Sequence, residues 1–202
     1  MNFEALISLL RNECSAEEID LRREEISEWI PECRIMFGYD QQHPHHPYDL
    51  WMHCLHTLTA LPRDIDDDML YLAALVHDIG KPACRKHFTA GNPGGMYHGH
   101  AQKSAEILQD TILPGLLRRG AVIDADSQKR AVFYAGHHDD HIGMDTEAVL
   151  ASGMNFEPSV FCNLLELEIA DSIAHAPVPL MCQRITACHE AIRIIKGRQS
   201  DF

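Results

Sequence analysis

Apolar positions recur at three- and four-residue intervals along most of this chain, and no convincing strand–turn–strand signal interrupts them. The pattern predicts an all-α protein. Asn2 can cap a short helix reaching Leu10, and Ser15 with Glu18 has the spacing of a capping box that opens a longer one, charged at first and ending near Pro31. Residues 41–47 read as a loop, with Pro47 at the first turn of a helix running to about Leu61. Residues 66–68 start a helix whose apolar body, 69–76, runs into His77 and Asp78. The stretch 83–99 holds Gly91, Pro93, Gly94, Gly95 and Gly99 and reads as a loop. Further helices are expected at about 100–113, at 126–138 with Asp126 as N-cap, at 158–174 and at 179–196. The acidic stretch 139–146 is expected to be exposed. The whole reads as a single-domain bundle of seven to nine helices.

Composition narrows the classes. The chain has 202 residues, 46% hydrophobic and 23% charged, which suits one ordinary globular domain. No apolar run approaches the ~20 residues that span a bilayer, and the first residues lack the form of a signal peptide, so a cytoplasmic protein is expected. The seven cysteines are scattered, without a C-x-x-C pair, and read as reduced structural thiols. A formal charge of −13 disfavours general nucleic-acid binding, because such a surface repels phosphate backbones. A phosphorylated substrate would have to be held by metal and a few local cations.

The histidines change the picture most. There are fourteen, and twelve fall between His43 and His141. His77 and Asp78 end an apolar run just before Gly80, where two buried polar groups are costly unless something binds both. A divalent ion satisfies such groups together. Other candidates are His53, with His56 three residues on, His100 beside His98, the pair His137 and His138, and Asp171 late in an amphipathic helix. Nitrogen and oxygen donors without cysteine favour a catalytic over a structural ion, from the set Fe, Mn, Ni, Co, Zn and Mg. His56 and His98 read as supporting neighbours or bystanders. His43, His45, His46, His87, His141, His175 and His189 read as loop, surface or packing residues. Trp51, Phe133 and Tyr134 read as core aromatics, and Lys81 as a cation beside the His–Asp pair.

The order His53, His77-Asp78, Asp171 resembles the HD superfamily of metal-dependent phosphohydrolases. Its wording is similar to the HD domain of bacterial CCA-adding tRNA nucleotidyltransferases, in the stretches 46–53 (HPYDLWMH), 74–82 (ALVHDIGKP) and 97–100 (YHGH). The resemblance implies an HD core at 44–175, a helical extension at 1–43 and a C-terminal helix at 176–202. It implies that His53, His77, Asp78 and Asp171 hold a first ion. With His100, His137 and His138 the set is similar to the two-metal sites of HD-GYP-type enzymes, where the counterpart of Asp78 bridges. Lys81 matches a lysine used near the phosphate. The Gly-Tyr-Pro signature is missing, as is a nucleotidyltransferase head, so neither cyclic-dinucleotide specificity nor CCA addition is expected.

The expected function is therefore hydrolysis of a phosphate mono- or diester on a nucleotide or other small phosphorylated molecule. One or two divalent ions would be needed, with Asp78 and Lys81 at the chemistry and an activated hydroxide as nucleophile. A mixed-valence di-iron oxygenase, as in a few HD-fold proteins, is the rival within enzymes. A nucleotide-sensing module without turnover is the rival outside them. A homo-oligomer is compatible with either. Residues 87–99 are expected to form a flexible rim over the pocket.

Overall fold

The most apolar segment of the sequence sits at the centre of the molecule. In a computed structural model describing residues 1–43, 45–85, 97–140 and 142–199, helix α5 (Asp68–Val76) has every residue from Met69 to Val76 buried. A helix that is hydrophobic on all sides can only be a core helix. Three long elements surround it: α4 (Leu50–Ala60), α9 (Ala125–His137) and α11 (Pro158–Ala174). All regular structure among the described residues is helical.

The chain enters through α1 (Phe3–Asn12), α2 (Ala16–Asp20) and α3 (Arg23–Trp29), followed by a 3₁₀ segment, Pro31–Met36. α1 lies on α5, and α2 lies on α4. After α5 come a short turn and α6 (Lys81–Cys84), then α7 (His100–Ile107), a π-type turn at Leu108–Ile112 and α8 (Leu113–Arg118). α9, α10 (Thr146–Ser152), α11 and α12 (Pro179–Gln199) complete the order. α7 packs on α9, and α12 packs on α10 and α11.

Helices are more numerous than expected because several predicted ones are broken. The segment after Ser15 divides at Leu21 and Arg22, and its capping box is only half formed. Ser15 Oγ accepts from Glu18 N at 3.2 Å, but Ser15 N donates to Glu13 Oε1 rather than to Glu18. The predicted 100–113 helix is wound into a π-turn ahead of Pro114, whose ring carries no N–H for the regular ladder. α4 begins at Asp49, which accepts from Met52 N at 2.7 Å, so Pro47 precedes the helix rather than opening it. α9 is capped by Asp124, not Asp126. α10 follows the acidic stretch, in residues for which no element was expected. The expected flexible rim falls largely on residues 86–96, outside the described residues.

One network ties the bundle together around the start of α5. Asp67 caps that helix through Met69 N, and its other oxygen accepts from Tyr134 Oη at 2.9 Å and Arg130 Nε at 3.0 Å. Asn163 of α11 donates to Tyr134 Oη at 3.2 Å. Tyr134 is thus a core aromatic with its polar end satisfied, and α5, α9 and α11 are held in one register.

Candidate metal centre

Helix ends and one helix interior bring the candidate ligands together. His53 lies in the first turns of α4, while His77 caps the C-terminus of α5 and Asp78 follows it in the turn. His100 opens α7, His138 caps α9, and Asp171 lies in the last turn of α11. Two glycines permit this convergence. Gly99 adopts φ +80°, a left-handed backbone suited to glycine. At Gly80 a Cβ would collide with His100 O and meet Ser104 N at 2.7 Å, so only glycine lets α7 come this close. Gly80 N donates to Ser104 Oγ at 2.9 Å.

Three rings share one device. Nδ1 of His77 donates to Ala74 O (2.8 Å), Nδ1 of His100 to Tyr97 O (2.9 Å) and Nδ1 of His138 to Ala135 O (2.8 Å). A carbonyl can only accept, so each neutral ring carries its proton on Nδ1 and turns a bare Nε2 inward. The bare nitrogens of His100 and His138 face each other at 3.2 Å. Two lone pairs at that distance repel unless a cation or proton lies between them.

Asp78 is the centre of the arrangement, 2% exposed. Its Oδ1 lies 3.0 Å from His100 Nε2 and 3.4 Å from His138 Nε2. Its Oδ2 lies 3.3 Å from His53 Nε2 and 3.5 Å from His77 Nε2. Asp171 Oδ1 is 2.9 Å from His53 Nε2 and 3.4 Å from His77 Nε2. Despite these approaches, His53 Nδ1 and Nε2, His77 Nε2, Asp78 Oδ1 and Asp171 Oδ1 are buried without a hydrogen bond. So many orphaned donor atoms at ligand spacing fit a bound cation and are costly without one. Two groups in this cluster, His53–His77–Asp171 and His77–Asp78–His138, could each hold an ion.

The electrostatics agree with the geometry. Burial works against ionisation of Asp78, but the Lys81 ammonium and the imidazoles of His77, His100 and His138 hold its carboxyl well below the usual range. Burial likewise opposes ionised Asp171, and His175, His53 and His77 pull it well below the ordinary value. Burial would depress His53, yet Asp171 and Asp78 raise it, whereas burial dominates at His77 and lowers it. Lys81 is buried, with Nζ 2.6 Å from Asp78 Oδ2 and 2.9 Å from Gln41 Oε1.

A cavity of about 200 Å³ opens beside Asp78 and Lys81, with His100, His138, Asp171 and Tyr97 in its wall. His137 is not part of it, which corrects the expectation for that residue. It is 39% exposed, bonds Asp140 Oδ2 through Nδ1 at 2.6 Å, and lies against Phe133. Consecutive helical residues point roughly 100° apart, so a helix that turns His138 inward turns His137 away. His56 faces outward, stacked on Tyr48, while His98 lines the cavity mouth.

Sequence reasoning missed four residues of the wall and its support. His43, His46 and His175 line the cavity rather than serving only as loop or packing residues. Gln41, 1% exposed, is the acceptor that fixes Lys81. For His175 a signal existed, since it follows Asp171 by four residues and therefore shares its helix face. For His46 and Gln41 none did, because a loop has no periodicity that assigns a direction.

The family model described as "HD domain" matches residues 45–174. The chain belongs to this family, a superfamily of metal-dependent phosphohydrolases. Among curated proteins it is similar to the multifunctional CCA protein of Thioalkalivibrio sulfidiphilus, 34% identical over 80 residues, covering 39% of this chain and 18% of that protein. The multifunctional CCA protein of Legionella pneumophila (strain Lens) is 30% identical over 81 residues, 40% of this chain and 18% of that protein. The match thus spans less than a fifth of these relatives. No solved structure matches significantly. No described helix is long and apolar enough to cross a membrane.

Proposed function

We propose that this chain is a metal-dependent phosphohydrolase acting on a nucleotide or another small phosphorylated molecule. The observation that carries the reading is the convergence of imidazole nitrogens from four separate elements on Asp78, with Asp171 of a fifth against two of those imidazoles, beside an open cavity. His53, His77, Asp78 and Asp171 would hold a first divalent ion. His100 and His138, again with Asp78, would hold a second. Bound there, divalent ions supply an activated water nucleophile and neutralise charge on the phosphoryl group.

The chain's own groups supply the rest. Lys81 offers a buried cation at the cavity wall, where it can meet a phosphate oxygen and stabilise charge developing on it. Gln41 keeps that ammonium from turning away. The carbonyls of Ala74, Tyr97 and Ala135 hold three imidazoles in the tautomer that can ligate. A cavity of about 200 Å³ accommodates a phosphoryl group and part of what it is attached to, not a folded nucleic acid.

The test is phosphate release by protein loaded with Mn²⁺, Co²⁺ or Ni²⁺ on nucleoside mono- and diphosphates, cyclic nucleotides and simple aryl phosphates. Release that disappears on chelation and in Asp78→Ala is expected. Metal-replete protein inert toward all of these would refute the reading. Oxygen consumption by an iron-loaded form would move the site to oxygenase chemistry.

A further inference from the structure

A second group of imidazoles adjoins the candidate centre on the side away from His100 and His138. One nitrogen from each of His46, His53 and His175 lies within 4.8 Å of the other two. The ring centroids of His46 and His175 are 4.3 Å apart, those of His53 and His175 4.9 Å, and those of His46 and His53 5.2 Å. The backbone holds them so. Ala176 N donates to His45 O at 2.9 Å, which fastens the loop carrying His46 to the end of α11, where His175 is the C-cap.

His175 also carries the ligand device seen at His77, His100 and His138. Its Nδ1 donates to a backbone carbonyl, that of Asp171, at 2.7 Å, which leaves Nε2 bare. His46 Nδ1 is buried with no hydrogen-bond partner. His53 differs from the other inward rings in having neither nitrogen hydrogen-bonded, although it is wholly buried. Each such orphan is costly unless something pairs with it. An anion is a poor occupant, since the same cavity already presents Asp78, Asp139 and Asp171. A cation satisfies the lone pairs.

We propose that His46, His53 and His175 form a further cation position at the edge of the cavity, taking a divalent ion of the imidazole-preferring kind such as zinc. The inference rests on the reading of the neighbouring cluster as a metal centre, shares His53 with it, whose ring must give up its proton to solvent for both nitrogens to ligate, and adds His46 and His175, which that centre does not use. An all-nitrogen set selects borderline ions over magnesium or calcium. A cation here would lie beside the carboxylate of Asp171, and its positive charge would extend the electropositive floor under a phosphorylated substrate.

The experiment counts zinc. Protein stripped with a chelator and freed of it is saturated with Zn²⁺ alone, desalted, and assayed for metal per chain by elemental analysis. His46→Ala/His175→Ala is expected to hold one zinc fewer per chain than the unaltered protein, with unchanged far-UV circular dichroism. Should the double variant fold poorly, His175→Gln, which can still donate to the Asp171 carbonyl, is expected to give the same loss. Equal zinc counts in folded variants and unaltered protein overturn the further position while leaving the main centre standing. Asp78→Ala separates the two claims: it loses zinc from the main centre, and adding the paired substitutions removes one equivalent more. An unaltered protein that retains no zinc or other metal sinks both.

Discussion

At the scale of single residues, what matters is which atom of a side chain is free. Asp78 is a buried carboxylate and Asp171 a partly buried one, yet one oxygen of each, Oδ1, is buried without a hydrogen bond. Asp78→Ala is therefore expected to empty the main centre, because it withdraws oxygens from both halves of the cluster; elemental analysis of the variant checks this. His56→Ala and His137→Ala should leave the metal content unchanged, since both rings point away from the cavity. Metal loss in either would show that the altered ring enters the cavity.

Lys81 makes a different kind of prediction. In chelated protein it is the closest cation to Asp78, so Lys81→Met leaves a buried carboxylate poorly compensated and should lower stability by about 3–5 kcal/mol. With metal bound the ion takes over that compensation and the loss should shrink. Denaturant unfolding of both forms, with and without chelator, reads the difference. An equal loss in both forms would show that Lys81 serves packing rather than charge balance.

At the scale of elements, the account turns on close approaches between helix ends. Gly80→Ala places a methyl group against the backbone of His100 and Ser104, so α7 must move. His100 travels with it. The variant is expected to bind less metal at the His100–His138 side and to melt several degrees lower, measurable by metal analysis and thermal unfolding. Asp67→Ala tests the opposite end of α5. It removes a cap and orphans Arg130 and Tyr134, which should cost roughly 2–3 kcal/mol without changing the metal count.

The elements also show what a sequence can and cannot convey. The apolar body of α5 announced itself because burial on every side leaves no polar stripe. The caps at Asn2 and Ser15 were readable because they obey local rules. The breaks at Leu21 and before Pro114 were not, since tertiary packing decides whether such a segment bends or stops. The side chains that meet around Asp78 were legible through their order along the chain. Which of His137 and His138 faces inward was not, because it depends on the rotation of α9 against α5 and α7. His46 joined the site through a loop docked by one backbone hydrogen bond, a contact between residues 45 and 176 that no spacing reveals.

At the scale of the whole molecule, the fold gathers chemistry from helices distant in sequence, so metal and stability are linked. An ion that binds only the folded chain stabilises it by mass action. Chelation should lower the melting temperature, and re-addition of Mn²⁺ or Zn²⁺ should restore it. The chelated protein should also be acid-sensitive in a defined sense. Asp78 and Asp171 have folded-state values well below the ordinary 3.8, so their ionised forms contribute stability above about pH 4. That contribution is lost as pH falls through the depressed folded values. Thermal unfolding of chelated protein from pH 7 downward should show a decline steepening below about pH 4, and a flat profile would contradict it. The net charge of −13 leaves the cavity's cations, Lys81 and any bound ions, as the features that would draw a phosphorylated molecule inward.

The most direct test is anomalous diffraction at the metal absorption edges from crystals of protein purified without chelator. A peak at about 2.0–2.2 Å from His53, His77, Asp78 and Asp171 is the predicted result. A metal-replete crystal with no peak among those four residues, or with Asp78 and Asp171 bonded to protein groups alone, would contradict the account.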